Sequence, residues 1–207
     1  VSVWGEVLKN VLLHKFIAIL NTFSDSEYLM AKVELEVAPV LVGLKPSSLM
    51  TFSKDSRNHY QIWETFKDKC CEGLKLQYFE MRKTEKYILV LFYNPVLLSE
   101  IVLDTENKDF LLGIGYEEEL SLKQILQILR ERFMYGFPHK IGLILGISKE
   151  DVTSFIENGG SEFLFCGYWK VYHKPQEANR LFRRYDMARC NVMQSICQRK
   201  NLLTMTA

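Results

Sequence analysis

Two side chains in this sequence are suited to covalent chemistry: Cys166, inside FLFCGYWKVY (163–172), and His139, inside FPHKIGLILGIS (137–148). A cysteine attacks as thiolate, and a neutral imidazole within hydrogen-bonding reach is the usual acceptor for its proton. Gly167, next to the cysteine, lets another backbone or a ligand come close. His139 is expected in the first turn of a helix, where the positive dipole end favours the neutral ring, able to act as base or metal ligand. A thiol-dependent hydrolase or transferase is therefore one reading. The weightier expectation is a buried structural cysteine beside a capping histidine.

Other chemistry is poorly supported. His14, His59 and His173 show no metal-ligand spacing, and adjacent Cys70-Cys71 is poor geometry for two ligands of one zinc. The five cysteines are odd in number and irregularly spaced, which argues against a disulfide framework and for a reducing cytosol. No GxSxG, phosphate-binding glycine loop or dinucleotide fingerprint occurs. The expectation is no metal and no cofactor.

Binding chemistry has more to draw on. Beside Gly167, the residues Tyr168, Trp169 and Tyr172 can present an aromatic face of the kind enriched at contacts. From Lys170 to Lys200 there are eight basic residues against Glu177 and Asp186, and Arg180, Arg183 and Arg184 share one helical face. These arginines are anion-binding candidates for a phosphate-bearing ligand or single-stranded nucleic acid. The blander expectation, which weighs more, is a solvated face pairing with the acidic 101–120 region.

The elements that would position these groups can be read in part. In 137–158, Gly142 and Gly146 supply a small contact and a turn, with Ile141, Leu145, Ile147, Val152 and Phe155 as apolar partners. This predicts two short helices in a helix-turn-helix-like hairpin, Pro138 opening the first. Ser148 and Asp151 read as a capping box for the second. Residues 148–159 carry Lys149 against Glu150, Asp151 and Glu157, a net charge of −2 that phosphates would repel. Nucleic acid is thus possible as a partner but not favoured.

Further elements follow from spacing and punctuation. Val7, Val11, His14 and Ala18 predict an amphipathic helix in 1–30, too interrupted by charge to cross a membrane. Ser24-Asp25-Ser26 reads as a break, 27–42 as a short apolar segment ended by Gly43-Leu44-Lys45-Pro46, and Ser48 to Phe52 as a strand. Residues 56–72 read as a helix stopped by Gly73. LKLQYFEM and KYILVLFY then form a hairpin, the second nearly all apolar as a central strand would be. Asn94-Pro95 opens another helix; Glu117, Glu118 and Glu119 precede a helix capped at Ser121 and closed by Gly136. FLFCGYWKVY reads as a strand, and Pro175 opens a long helix over about 176–198. With 207 residues, 48% hydrophobic and 25% charged at net charge +1, the chain has an ordinary globular composition and no global field. The expected fold is α+β: a small, mostly antiparallel sheet flanked by helices. Residues 1–30 are expected as an extension to a single 31–207 domain.

FPHKIGLILGISKEDVTSFIENGG and CGYWKVY also carry a resemblance. The chain resembles an uncharacterised bacterial family, a domain of unknown function common in anaerobic Gram-positive bacteria. Its members carry segments like FPHEIGLFLGYPLEDVIGFIENKG, CGYWKVY and an early CAPTLAGLKPANLF, the last reading VAPVLVGLKPSSLM here. The likeness spans roughly 33–207. His139, Gly142, Gly146, Asp151, Phe155, Glu157, Asn158, Cys166, Gly167, Trp169 and Tyr172 match the pattern. Val37, Lys140 and Phe165 depart from it; a family cysteine stands where this chain has Val37. The resemblance implies a shared fold and no particular activity. The leading expectation is a cytosolic, non-catalytic domain binding a protein or small molecule between the 137–158 hairpin and CGYWKVY.

Overall fold

Strand β3 (Tyr87–Tyr93) explains the run that shows no alternation: it is the middle strand, antiparallel to both neighbours, in the order β1-β3-β2. β1 is Ser47–Ser53 and β2 is Gln77–Lys83. With both faces covered, the β3 side chains from Ile88 to Tyr93 all pack against apolar neighbours. Ile88, Val90 and Phe92 enter one core, with Leu91 buried in the other. The computed structural model describes residues 3–55, 57–112, 120–135 and 139–205.

The first sheet face is closed by α2 (Asp25–Glu36), α3 (Ala38–Leu41) and α4 (His59–Leu74). Trp63 is fully buried there, stacked on Phe52 at 4.6 Å. Its indole N–H donates to Glu80 at 3.0 Å, so the one polar atom of the ring is satisfied. Ser24 is not a simple break: it caps α2 in a full capping box with Glu27. Gly73 does not stop α4 either. It lies within the helix, where a Cβ would come 2.7 Å from the Met30 methyl, and Lys75 in the left-handed conformation ends the helix. Leu74 is accordingly helical, and β2 begins later than the alternation predicts.

The second face packs against α5 (Pro95–Val102), α6 (Thr105–Leu112) and α7 (Leu122–Tyr135). Leu98, Val102, Leu111, Ile125, Leu129 and Phe133 are buried against Met81 and Leu91. Asn94 caps α5, and Ser121 and Gln124 form the expected box at the start of α7. Gly136, Pro138 and the Glu117, Glu118 and Glu119 run lie outside the described residues.

The last helix, α9 (Pro175–Met205), is longer than expected and holds two satellites together. Met193, Ile196 and Cys197 receive Phe16 of α1 (Val3–Leu20) and Ala31 of α2. Nearer its start, Phe182 and Tyr185 pack under the segment containing Tyr168 and Trp169. The α+β architecture thus matches the expectation. None of the described helices is long and apolar enough to cross a membrane.

Candidate functional site

FLFCGYWKVY is not one strand. It folds back as a hairpin of β4 (Phe165–Cys166) and β5 (Lys170–Val171), with the Gly167 N–H donating to the Trp169 carbonyl at 3.0 Å. Gly167 is required sterically: a Cβ would sit 2.3 Å from Phe182 of α9. The turn therefore lies directly on that ring, and Trp169 meets the same ring edge to face at 4.5 Å.

The 137–158 hairpin also departs from expectation. Its first arm is a single 3₁₀ turn, His139–Gly142, followed by turn residues to Gly146, and only the second arm is a helix, α8 (Lys149–Glu157). Gly142 is the close contact foreseen, since a Cβ would meet Val152 at 2.8 Å. Gly146 has φ +80° and lies against Pro46, a Cβ there falling 2.9 Å from the proline ring. The Ser47 hydroxyl donates to the Ile144 carbonyl and the Asn94 N–H to that of Pro46. Residues GLKPSS thereby seat the hairpin on the sheet. The three resemblance-bearing segments meet in one place.

Asp151 ties two of them together, α8 and the CGYWKVY segment. Ser148 caps α8 by accepting the Asp151 N–H, but the Asp151 carboxylate does not return to complete the box. Only 3% exposed, it accepts the Trp169 indole N–H at 2.8 Å and the N–H groups of Tyr172 and His173 at 2.9 and 2.8 Å. A buried carboxylate with three donors is a satisfied one. Sequence reasoning missed this role because SKED fits a capping box equally well. Nothing local tells whether a short aspartate side chain turns back or reaches away.

Between the 3₁₀ turn, α8 and the β4–β5 hairpin lies a cavity of about 310 Å³. Its walls are mostly apolar, from Ile141, Leu145, Ile147, Val152, Phe155 and the ring of Trp169. Five expected site residues, His139, Cys166, Gly167, Tyr168 and Trp169, line it, as does Lys170. Tyr172 does not. Its ring is buried elsewhere, its hydroxyl has no partner among the described residues, and burial raises its pKa. Cys166 and His139 are exposed rather than buried, and no hydrogen bond joins them. The histidine ring lies 5.1 Å from Phe155. The Lys170 ammonium is held by the Gly160 carbonyl at 2.7 Å and lies 5.0 Å over Phe163.

Other expected sites separate from this one. Arg180, Arg183 and Arg184 are exposed on α9, and the foreseen pairing with 101–120 is absent among the described residues. There, Glu106 pairs instead with Lys149 at 3.4 Å. Val37 is buried in the core under the first sheet face and does not line the cavity, so a cysteine at that position would not face His139. Lys140 lies over the Phe110 ring at 5.0 Å, and Phe165 packs edge-on to Phe182. Among the described residues no cluster of histidine, cysteine, aspartate or glutamate has the makings of a metal site.

Compared with known proteins, residues 33–206 match a family described as "Protein of unknown function (DUF3793)". No curated protein and no solved structure matches the chain.

Proposed function

The chain belongs to the DUF3793 family, whose description assigns no activity, and from that premise we propose a cytosolic, non-catalytic binding protein. Its ligand is a compact, largely apolar molecule held in the cavity between α8 and the β4–β5 hairpin. One observation carries this reading: Trp169 is half-buried, held by Asp151 on its N–H and by a perpendicular contact with the Phe182 ring, with open volume beside it. A tryptophan serving only as core would be enclosed. A clamped ring bordering a cavity is a preorganised wall, which lowers the ordering cost of binding. At about 310 Å³ the space suits a small ring compound rather than a chain segment.

Thermal denaturation with indole or p-cresol tests the proposal. A ligand that binds only the folded protein raises Tm saturably, by an amount growing with the logarithm of its concentration. Cys166→Phe, which blocks the cavity mouth from an exposed position, abolishes the rise, and Cys166→Ala keeps it. An unchanged Tm in the natural protein with either probe would reject the proposal.

A second reading is favoured by one fact: an exposed thiol and an imidazole line the same cavity. Thiol chemistry predicts rapid alkylation of Cys166 at neutral pH, suppressed in His139→Ala. Equal, slow labelling of both proteins would remove it.

A further inference from the structure

The wall formed by Trp169, Asp151 and Ile147 has a second side. There lies another cavity, of about 330 Å³, whose surroundings differ in kind. Leu143, Ala178 and Leu181 give it an apolar floor, but charged groups of both signs line it too: Glu150 from the first turn of α8, Glu177 from the first turn of α9, and Lys174 just before α9. All three are exposed, and among the described residues none makes an ion pair. The backbone of Lys174 is moreover fixed at the start of α9. Its φ is +45°, a conformation that side-chain-bearing residues rarely adopt, and its carbonyl accepts the N–H groups of Glu177 and Ala178 at 3.0 and 3.1 Å.

We propose that this second cavity binds a zwitterionic small molecule with an apolar side chain, an α-amino acid or a close analogue. The ammonium pairs with Glu150 and Glu177, the carboxylate with Lys174, and the side chain rests on Leu181 and the Trp169 ring. The charge pattern disfavours the simpler classes. A plain carboxylic acid would meet two unpaired carboxylates, and a plain amine would leave the Lys174 ammonium facing a second cation. A molecule carrying both charges satisfies both sides at once. This site is separate from the apolar cavity, with Trp169 and Asp151 as their common partition.

Isothermal titration of the full chain with L-leucine tests the proposal, with isoamylamine and 4-methylpentanoate as probes lacking one charge each. L-Leucine binds saturably in the millimolar range or tighter, and each truncated probe binds at least about threefold more weakly, as expected for loss of one exposed charge pair. Lys174→Gln removes the preference for L-leucine over isoamylamine, and Glu177→Gln lessens that over 4-methylpentanoate, Glu150 remaining. Cys166→Phe, which closes the apolar cavity, leaves L-leucine binding unchanged, so failure of one site is distinguishable from failure of the other. No saturable heat with L-leucine, or isoamylamine binding equally well, would overturn the proposal. So would Glu177→Gln or Lys174→Gln variants that shift Tm while leaving L-leucine binding intact, which would make these groups charges of the helix ends alone.

Discussion

Replacing Asp151 by alanine removes the acceptor for three donors at once: the Trp169 indole N–H and the backbone N–H groups of Tyr172 and His173. Hydrogen bonds to a charged acceptor contribute about 1.5–3 kcal/mol each, and donors left buried without a partner cost at least as much. Taking the low end for each bond, because small shifts can admit water, Asp151→Ala should destabilise the fold by about 4.5 kcal/mol. That is a large share of an ordinary domain's stability. Asp151→Asn keeps one oxygen for the two backbone donors but turns an amide N–H toward the indole, so a loss of about 2 kcal/mol is expected. Trp169→Phe deletes only one donor, and its effect should couple with that of Asp151→Ala by about 1 kcal/mol or more in a double-mutant cycle. Urea unfolding followed by circular dichroism gives these differences from the midpoints at constant slope. An Asp151→Ala loss below about 1 kcal/mol, or strict additivity with Trp169→Phe, would refute the view that this carboxylate holds the hairpin to α8.

Gly167→Ala must displace Phe182, since the added methyl group falls 2.3 Å from that ring; it should cost about 2 kcal/mol in urea unfolding, partly restored by Phe182→Leu. In thiol titration at neutral pH, exposed Cys166 should react well before Cys70 and Cys71, whose thiols burial pushes up to about 12; simultaneous labelling would contradict the fold. Burial lowers Lys45 to about 8, below its ordinary 10.5, so between these values the unfolded chain binds more protons and native stability rises with pH. Lys45→Met should therefore stabilise the protein at pH 7, by on the order of 2 kcal/mol, with the advantage fading towards pH 10.5. If the exposed face of Arg180, Arg183 and Arg184 binds single-stranded nucleic acid, affinity must fall steeply with salt and on triple alanine substitution. Salt-insensitive binding would dismiss that role.

Much of the fold was legible because its signals are local. The apolar run of β3 marks a central strand, Asn94-Pro95 and Ser121 mark helix starts, and Pro175 opens α9. What misled were residues whose reason lies across space. Gly73 resembles a helix stop but makes room for Met30, and FLFCGYWKVY resembles a strand until Phe182 demands a turn at Gly167. At the site, the composition of one cavity could be read from two motifs, because His139, Cys166, Gly167, Tyr168 and Trp169 do line it together. Tyr172, three positions beyond the turn, points elsewhere, and the partition made by Asp151 and Trp169 has no signature in spacing.

The most direct measurement follows the three tryptophan indole N–H signals in a two-dimensional ¹⁵N spectrum while indole is added. Trp63 is fully buried on the far side of the sheet, whereas Trp169 borders the cavity. The Trp169 signal should move saturably with the Trp63 signal stationary, and Cys166→Phe should suppress the movement. A stationary Trp169 signal at saturating probe, or equal movement of Trp63, would contradict a ligand-binding cavity beside this ring.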